Sequence, residues 1–417
     1  MRVDSEQVLI GCGEVGSRLL DGGAEIYRVE ETMRRMMAAY GKKGDVFAIP
    51  GCLIVSIEDE SGQTHTRLYR AAGHTGPDIE VVERFNALSR SVCANPPAPE
   101  ELPRLAEKTA AECKHYPMWV KCLGYFVGAL FFALFFQGGA LEALCAGVTG
   151  LMAGLCAMEL DRMKVNFFFK TLAAAAVLGL LSYGMAALGL PIHTGAVVMG
   201  AILVLVPGLI FTNFMCDIIT GDVLSGVSSF IRAVLTATAI ALGSGAALYL
   251  FQWMGLSVDG IPRTVEYSVL AQCIISLLAC CGFCIPYNVH GFSGILLCSL
   301  GGGLSWGVYL LMGQVTDSVY LCYLVAAIFV AVFAEIMARV RKYPITAYLV
   351  VSYFPLVPGG FIYRTMYYGI QGERQLFLET GLQTIGIAAC LAMGALVVST
   401  TVRTFSTWRR ERRMKRG

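Results

Sequence analysis

The sequence predicts an α-helical polytopic membrane protein of about ten transmembrane helices, set as two inverted five-helix repeats behind a small N-terminal cytoplasmic α/β domain. Three observations predict it. Of the 417 residues, 56% are hydrophobic and only 15% charged, far outside the soluble globular range. The charges are unevenly placed, with an ordinary polar mixture over residues 1–116 and long uncharged runs between Trp119 and Thr400. Finally, Leu205-Val206-Pro207-Gly208 recurs as Leu356-Val357-Pro358-Gly359, at an offset of 356 − 205 = 151 residues.

The first element is the polar region, residues 1–116. Its start has neither the basic n-region nor the apolar run of a signal peptide, so the region is expected in the cytoplasm. Ile26, Val29, Met33, Met36 and Tyr40 recur at helical spacing and stop at Gly41. Val46–Ile49, Leu53–Ile57 and Thr64–Arg70 have the alternation of short strands. Ile79, Val82, Phe85, Leu88 and Val92 mark a further helix, and Pro96-Pro97-Ala98-Pro99 separates it from a last one at about 100–114.

The embedded region follows. A span needs roughly 20 apolar residues, and candidates lie at about 118–136, 138–158, 167–189, 193–213 and 225–251. Adding 151 gives 269–287, 289–309, 318–340, 344–364 and 376–402, which are the second-half candidates without adjustment. The chain divides accordingly into 1–116, a first membrane repeat at 117–252, a second at 267–403 and a basic tail at 404–417. Around the break the halves match at Val206/Val357, Pro207/Pro358, Gly208/Gly359, Met215/Met366, Ile219/Ile370 and Gly221/Gly372, and Asp222 faces Glu373.

Orientation comes from Lys and Arg in short loops. Arg162, Lys164, Arg339, Arg341, Lys342 and the tail Arg409 to Arg416 fall on the side of the polar region, whereas Arg263, Arg364 and Arg374 fall on the other. Both termini are thus expected in the cytoplasm of a plasma-membrane protein. Because five spans per half is odd, the second half is expected to insert upside down relative to the first.

The motifs that carry chemistry are few. Duplicated Pro-Gly breaks in corresponding spans point to the substrate site of a transporter. Pro ends helical hydrogen bonding, and the peptide groups released must face protein, water or ligand rather than lipid. Pro207, Gly208, Pro358 and Gly359 are therefore expected to shape the site. Asn213 and Asp217 share one helical face, an amide and a carboxylate suited to an ammonium group or a proton. Asp222 follows them, and Arg364, equivalent to Asn213, offers a bidentate clamp for a carboxylate. Glu142 and Glu335, costly in a span unless they face the interior, are the candidates for proton coupling, with Arg232, Glu379 and His290 as further ionisable groups.

Other chemistries are not supported. The Gly11-Cys12-Gly13-Glu14-Val15-Gly16 pattern matches a dinucleotide fingerprint, but a second helix at 24–40 stands where a βαβ unit needs a strand. The fifteen Cys are scattered, and Cys280, Cys281 and Cys284 lack a fourth ligand, so neither a disulfide framework nor a metal is expected. No Walker, HExxH or Ser-His-Asp pattern occurs. The chain is expected to be no enzyme, to need no cofactor and to bind no nucleic acid. Its partners are a small-molecule substrate, protons and the bilayer; homo-oligomer formation is left open. The competing reading is a membrane-anchored enzyme or sensor working through residues 1–116.

Two segments carry a family resemblance. Gly22-Gly23-Ala24-Glu25-Ile26-Tyr27-Arg28-Val29-Glu30 and the run from Val206-Pro207-Gly208 through Asp217-Ile-Ile-Thr-Gly221-Asp222-Val-Leu-Ser225-Gly226 resemble motifs of the threonine/serine exporter family. Pro355-Leu-Val-Pro358-Gly359-Gly360 resembles a further one. The resemblance implies a ten-helix carrier exporting small amino acids on the proton motive force. The chain is also similar to two-subunit relatives fused into one polypeptide, which implies a dicarboxylate such as succinate as the alternative substrate.

Overall fold

The computed structural model describes residues 4–59, 61–70, 78–205, 217–218, 222–256, 264–341 and 345–414. It forms two compact units: Met1–Tyr116 with Asp217–Ser229 and Tyr287–His290, and the remainder of the chain.

In the first unit, α1 (Ser5–Asp21) and α2 (Ile26–Ala39) precede β1 (Gly44–Ile49), β2 (Cys52–Glu58) and β3 (Thr64–Arg70). These strands form one antiparallel sheet in the order β1-β2-β3, with Val46 opposite Val55 and Val55 opposite Arg67. Alternation puts Val46, Ala48, Leu53, Val55 and Ile57 on one buried face, where they share a core with Val8, Cys12 and Val15 of α1 and Val29, Met33 and Met36 of α2. Two more helices close the core, α3 (Ile79–Ala94) and α4 (Glu101–Glu112). Asp4 and Asp78 cap α1 and α3 by accepting from the N–H groups of Glu6 and Val81.

The dinucleotide-like glycines lie inside α1, where they serve close packing. A Cβ at Gly11 would come 2.6 Å from Leu102, one at Gly16 would meet Met33, and one at Gly13 would fall on the Tyr69 ring. A glycine buried under an aromatic ring has no phosphate to cradle. Gly13→Val is therefore expected to destabilise this unit by about 2 kcal/mol or more, measured as lost amide protection across α1 and the sheet in hydrogen exchange.

The second unit is helical. Its helices are α5 (Met118–Phe135), α6 (Ala140–Arg162), α7 (Phe167–Ala187), α8 (Thr194–Ile202) and α9 (Val223–Trp253), then α10 (Val269–Cys284), α11 (Phe292–Met312), α12 (Val319–Arg341), α13 (Ile345–Ser352), α14 (Gly359–Gln371) and α15 (Arg374–Met414). The first residues of α9 belong to the first unit. Among the described residues seven helices are long and apolar enough to cross a membrane: α5, α6, α7, α9, α11, α12 and α15. The protein is thus a polytopic membrane protein. Helix starts recur between the halves: 269 − 118 = 151, 292 − 140 = 152, 319 − 167 = 152, 345 − 194 = 151 and 374 − 223 = 151. Neighbours recur too, since α5 packs on α6 as α10 packs on α11, and α7 on α8 as α12 on α13.

The first helices of the two halves, α5 and α10, cross closely at Gly124, Gly128 and Gly282. Small residues let backbones approach where there is no hydrophobic driving force between helices.

Candidate functional site

The second Pro-Gly segment interrupts its span. Helix α13 stops at Ser352, a 3-10 turn covers Phe354–Leu356, Val357 is extended, and α14 begins at Gly359 with Pro358 as its N-cap. The cause is local. Pro355 supplies no N–H, so the carbonyl of Val351 loses its partner four residues on, and the Cys280 thiol approaches it at 3.5 Å instead. The Ser352 carbonyl accepts from Ser305 Oγ at 3.2 Å, while Ser352 Oγ donates to the Cys298 carbonyl at 3.1 Å. Small hydroxyl and thiol groups of α10 and α11 thus satisfy the backbone that the break exposes.

Aromatic rings pack around this turn. Phe354 stacks on Phe283 with centroids 4.7 Å apart, Phe132 meets Phe283 edge-on at 5.5 Å, and a Cβ on Gly360 would lie 3.0 Å from the Phe136 ring. Pro358 and Gly359 are buried, and α14 starts without a side-chain cap. Its N-terminal peptide dipoles thus lie in an apolar surround, where an anionic group is favoured. Farther along, Tyr363 donates a hydrogen bond to Tyr183 and packs with Met366 against Val198, Ala201, Ile202 and Ile240. Arg364, the next residue, is exposed. Gly372, at φ 76°, ends α14 in the left-handed conformation and lets α15 start two residues later.

In the first half α8 ends at Ile202, and Pro207, Gly208 and Asn213 of its Pro-Gly segment lie outside the described residues. Beyond them Asp217 is 8% exposed and Ser225, in the first turn of α9, is 1% exposed. Ser225 Oγ donates to Asp217 Oδ2 at 2.8 Å, and the Asp222 N–H donates to the Asp217 carbonyl at 2.8 Å. Burial pushes the Asp217 carboxyl up to about 6, the Ser225 hydrogen bond opposes the shift, and the charges of Asp222 and Glu25 add to it. That places its proton exchange close to neutral pH. Asp222 is half-buried on the same loop.

The remaining candidates have structural partners. Glu142 is 5% exposed, and its two oxygens accept from the N–H groups of His193 and Gly139, both at 3.0 Å. It caps α6 and ties down the turn before α8. Glu335 pairs with Arg339 at 3.3 Å on its own helix. His290 stacks on Tyr116 at 4.2 Å, and its Nε2 lies 3.0 Å from Asn288 Oδ1 and 2.9 Å from the Lys114 carbonyl; two acceptors on one nitrogen require a proton there. Lys170, 4% exposed, pairs with Asp161 at 2.8 Å, and Arg232 lies over the Phe167 ring at 5.4 Å.

Sequence reasoning missed Ser225, Ser305 and the Tyr183–Tyr363 pair. Serine and tyrosine on apolar helices carry no periodic signal. The one usable hint was Pro355, whose missing N–H requires a replacement donor for Val351.

Comparison with known proteins adds an independent line. Residues 11–251 match the family described as "Putative threonine/serine exporter", and residues 272–401 match "Threonine/Serine exporter, ThrE". The threonine/serine exporter of Corynebacterium glutamicum is 20% identical over 92% of this chain and 80% of that protein. Pheromone-regulated membrane protein 10 of Saccharomyces cerevisiae is 23% identical over 64% of this chain, which spans only 38% of that longer protein. The Debaryomyces hansenii protein of the same name is 21% identical over 91% of this chain, again over 38% of its own length. No solved structure matches. With its polar unit and both membrane halves matched, the chain is a member of the threonine/serine exporter family of membrane proteins.

Proposed function

We propose that the protein is a proton-coupled secondary carrier that exports threonine, serine or a closely similar amino acid across the plasma membrane, with both termini in the cytoplasm. The carrying observation is Asp217, a buried carboxyl held by Ser225 and titrating near neutral pH just after the first Pro-Gly segment. As a carboxylate it binds a substrate ammonium group; once protonated, it releases that group. A single acid thus exchanges an amino acid for a proton.

The duplicated breaks support a site for the rest of the substrate. Repeated helix breaks mark the substrate sites of many transporters, and the uncapped start of α14 suits a carboxylate. The expected substrate-contacting residues remain Pro207, Gly208, Asn213, Asp217, Asp222, Pro358, Gly359 and Arg364, of which Pro207, Gly208 and Asn213 lie outside the described residues. Glu142 and Glu335 are less suited to move protons, since backbone N–H groups engage the first and Arg339 the second.

Counterflow in proteoliposomes tests the proposal. Internal unlabelled threonine or serine should drive uptake of labelled threonine at least about tenfold over protein-free vesicles, with acceleration by an imposed pH gradient. Exchange of succinate but not threonine would replace the substrate assignment by a dicarboxylate. Exchange of neither would reject it.

A further inference from the structure

Two hydroxyls of the first membrane half are buried in an unusual way. Thr149 on α6 and Ser182 on α7 are each 0% exposed, and among the described residues neither Thr149 Oγ1 nor Ser182 Oγ has a hydrogen-bond partner. Hydroxyls inside helices commonly donate to the carbonyl four residues earlier, as Thr171, Thr236 and Ser244 each do at 2.8 Å. Thr149 and Ser182 turn away from their own backbones instead. A buried polar group without a partner is costly and calls for one.

Both hydroxyls belong to one level of packed helices. Cys145 and Ala146 of α6 share an apolar cluster with Met185 and Ala186 of α7, and Ala153 of α6 shares the next with Ala175 and Leu178 of α7. The two helices therefore pack antiparallel. Thr149 stands 149 − 146 = 3 and 153 − 149 = 4 residues from these contacts, and Ser182 stands 185 − 182 = 3 and 182 − 178 = 4 from its own. That spacing keeps each on the buried stripe of its helix, midway between the clusters. Helix α8 enters both clusters, through Val197 and Val198, and closes the same level from a third side. It also leads toward the first Pro-Gly segment: a Cβ on Gly150, beside Thr149, would come 3.6 Å from Val204, three residues before Pro207.

We propose that Thr149 and Ser182 form an internal subsite for one small O–H group, which donates to one hydroxyl and accepts from the other. Water and the side-chain hydroxyl of a substrate amino acid share this chemistry. The second source rests on the reading of the chain as an amino-acid exporter; the first does not. In either case the guest gives both side chains the hydrogen bonds that the helices withhold.

Thr149→Val and Ser182→Ala, which nearly preserve shape, test the subsite in the full-length protein. In detergent each variant alone should lower the apparent Tm by about 2 °C or more, since it strands the other hydroxyl and the guest. The double variant should lie no lower than the weaker single variant, because both act on one bond network. Hydroxyl-radical footprinting, which oxidises side chains beside bound water, identifies water as the guest if labelling of Cys145 falls in the double variant. Counterflow of serine against alanine identifies the substrate hydroxyl if the preference for serine narrows by about tenfold in each single variant. Thr149→Ser keeps the hydroxyl and should retain the native labelling and preference. Variants as stable as the native protein or more so, or effects that simply add, overturn the proposal when the serine preference is also unchanged. Coupling without a change in labelling or preference overturns it too. If no amino acid exchanges even with the native protein, the carrier reading fails, while melting and labelling still decide the subsite.

Discussion

Asp217→Asn abolishes export, lowering the initial rate of threonine counterflow by about a hundredfold or more, because an amide neither binds an ammonium ion as a counter-charge nor exchanges a proton. The fold should survive, since Asn keeps an oxygen that can accept from Ser225 Oγ. Stability supplies a second, opposite readout. The Asp217 carboxyl is raised from its ordinary value of 3.8 to about 6, so the native state holds this proton more tightly than the unfolded chain. That contribution is fully present below pH 3.8 and is lost as pH rises through 6. At pH 8 the native protein therefore carries the cost of a buried anion. Asp217→Asn removes it and should stabilise the protein there by about 1–2 kcal/mol, a figure reduced from the full linkage value for partial solvent access. At pH 4 the gain should nearly vanish. Thermal unfolding at both pH values and counterflow at pH 7 check the pair of outcomes. A variant that exports normally, or that is less stable at pH 8, contradicts the assignment of Asp217.

Gly282→Val should prevent stable assembly of the membrane unit. A Cβ at Gly282 would lie 2.8 Å from the Gly128 Cα, and one at Gly124 would lie 2.9 Å from the Gly282 carbonyl oxygen. These contacts are backbone against backbone, so no rotamer change relieves them, and α5 must separate from α10 along the crossing. Lost packing along that seam is expected to cost about 3 kcal/mol or more, at the upper end of overpacking penalties. Size-exclusion chromatography of a fluorescent fusion should show aggregate in place of the monodisperse peak. Gly381→Ala in α15, whose nearest contact would be the Thr365 methyl at 3.6 Å, should elute as the unaltered protein. Equal behaviour of the two variants contradicts the close crossing.

Much of the architecture was legible in the sequence because its signals are local. The span expected at 118–136 is the helix Met118–Phe135, since hydrophobic length alone sets it. The three strands were legible for the same reason, as alternation within a few residues puts Val46, Ala48, Leu53, Val55 and Ile57 on one face. The ninth span was expected as one segment at 344–364 with a break; the structure divides it into α13 and α14, because Pro355 and Pro358 each remove a helical donor. The partners of individual side chains were not legible. Glu142 looked like an ionisable group in a span, and only the fold brings the N–H of His193, 51 residues later, onto its carboxylate.

By itself, then, the sequence determined the membrane class, the positions of most described helices, the repeated Pro-Gly motif and the family, all properties of composition, short-range period and motif. Tertiary structure alone decided that Asp217 is buried and that Ser225 donates to it. The reason is physical: hydropathy and backbone propensity act within a few residues, whereas desolvation and the field at a carboxyl depend on every group that folding brings near it.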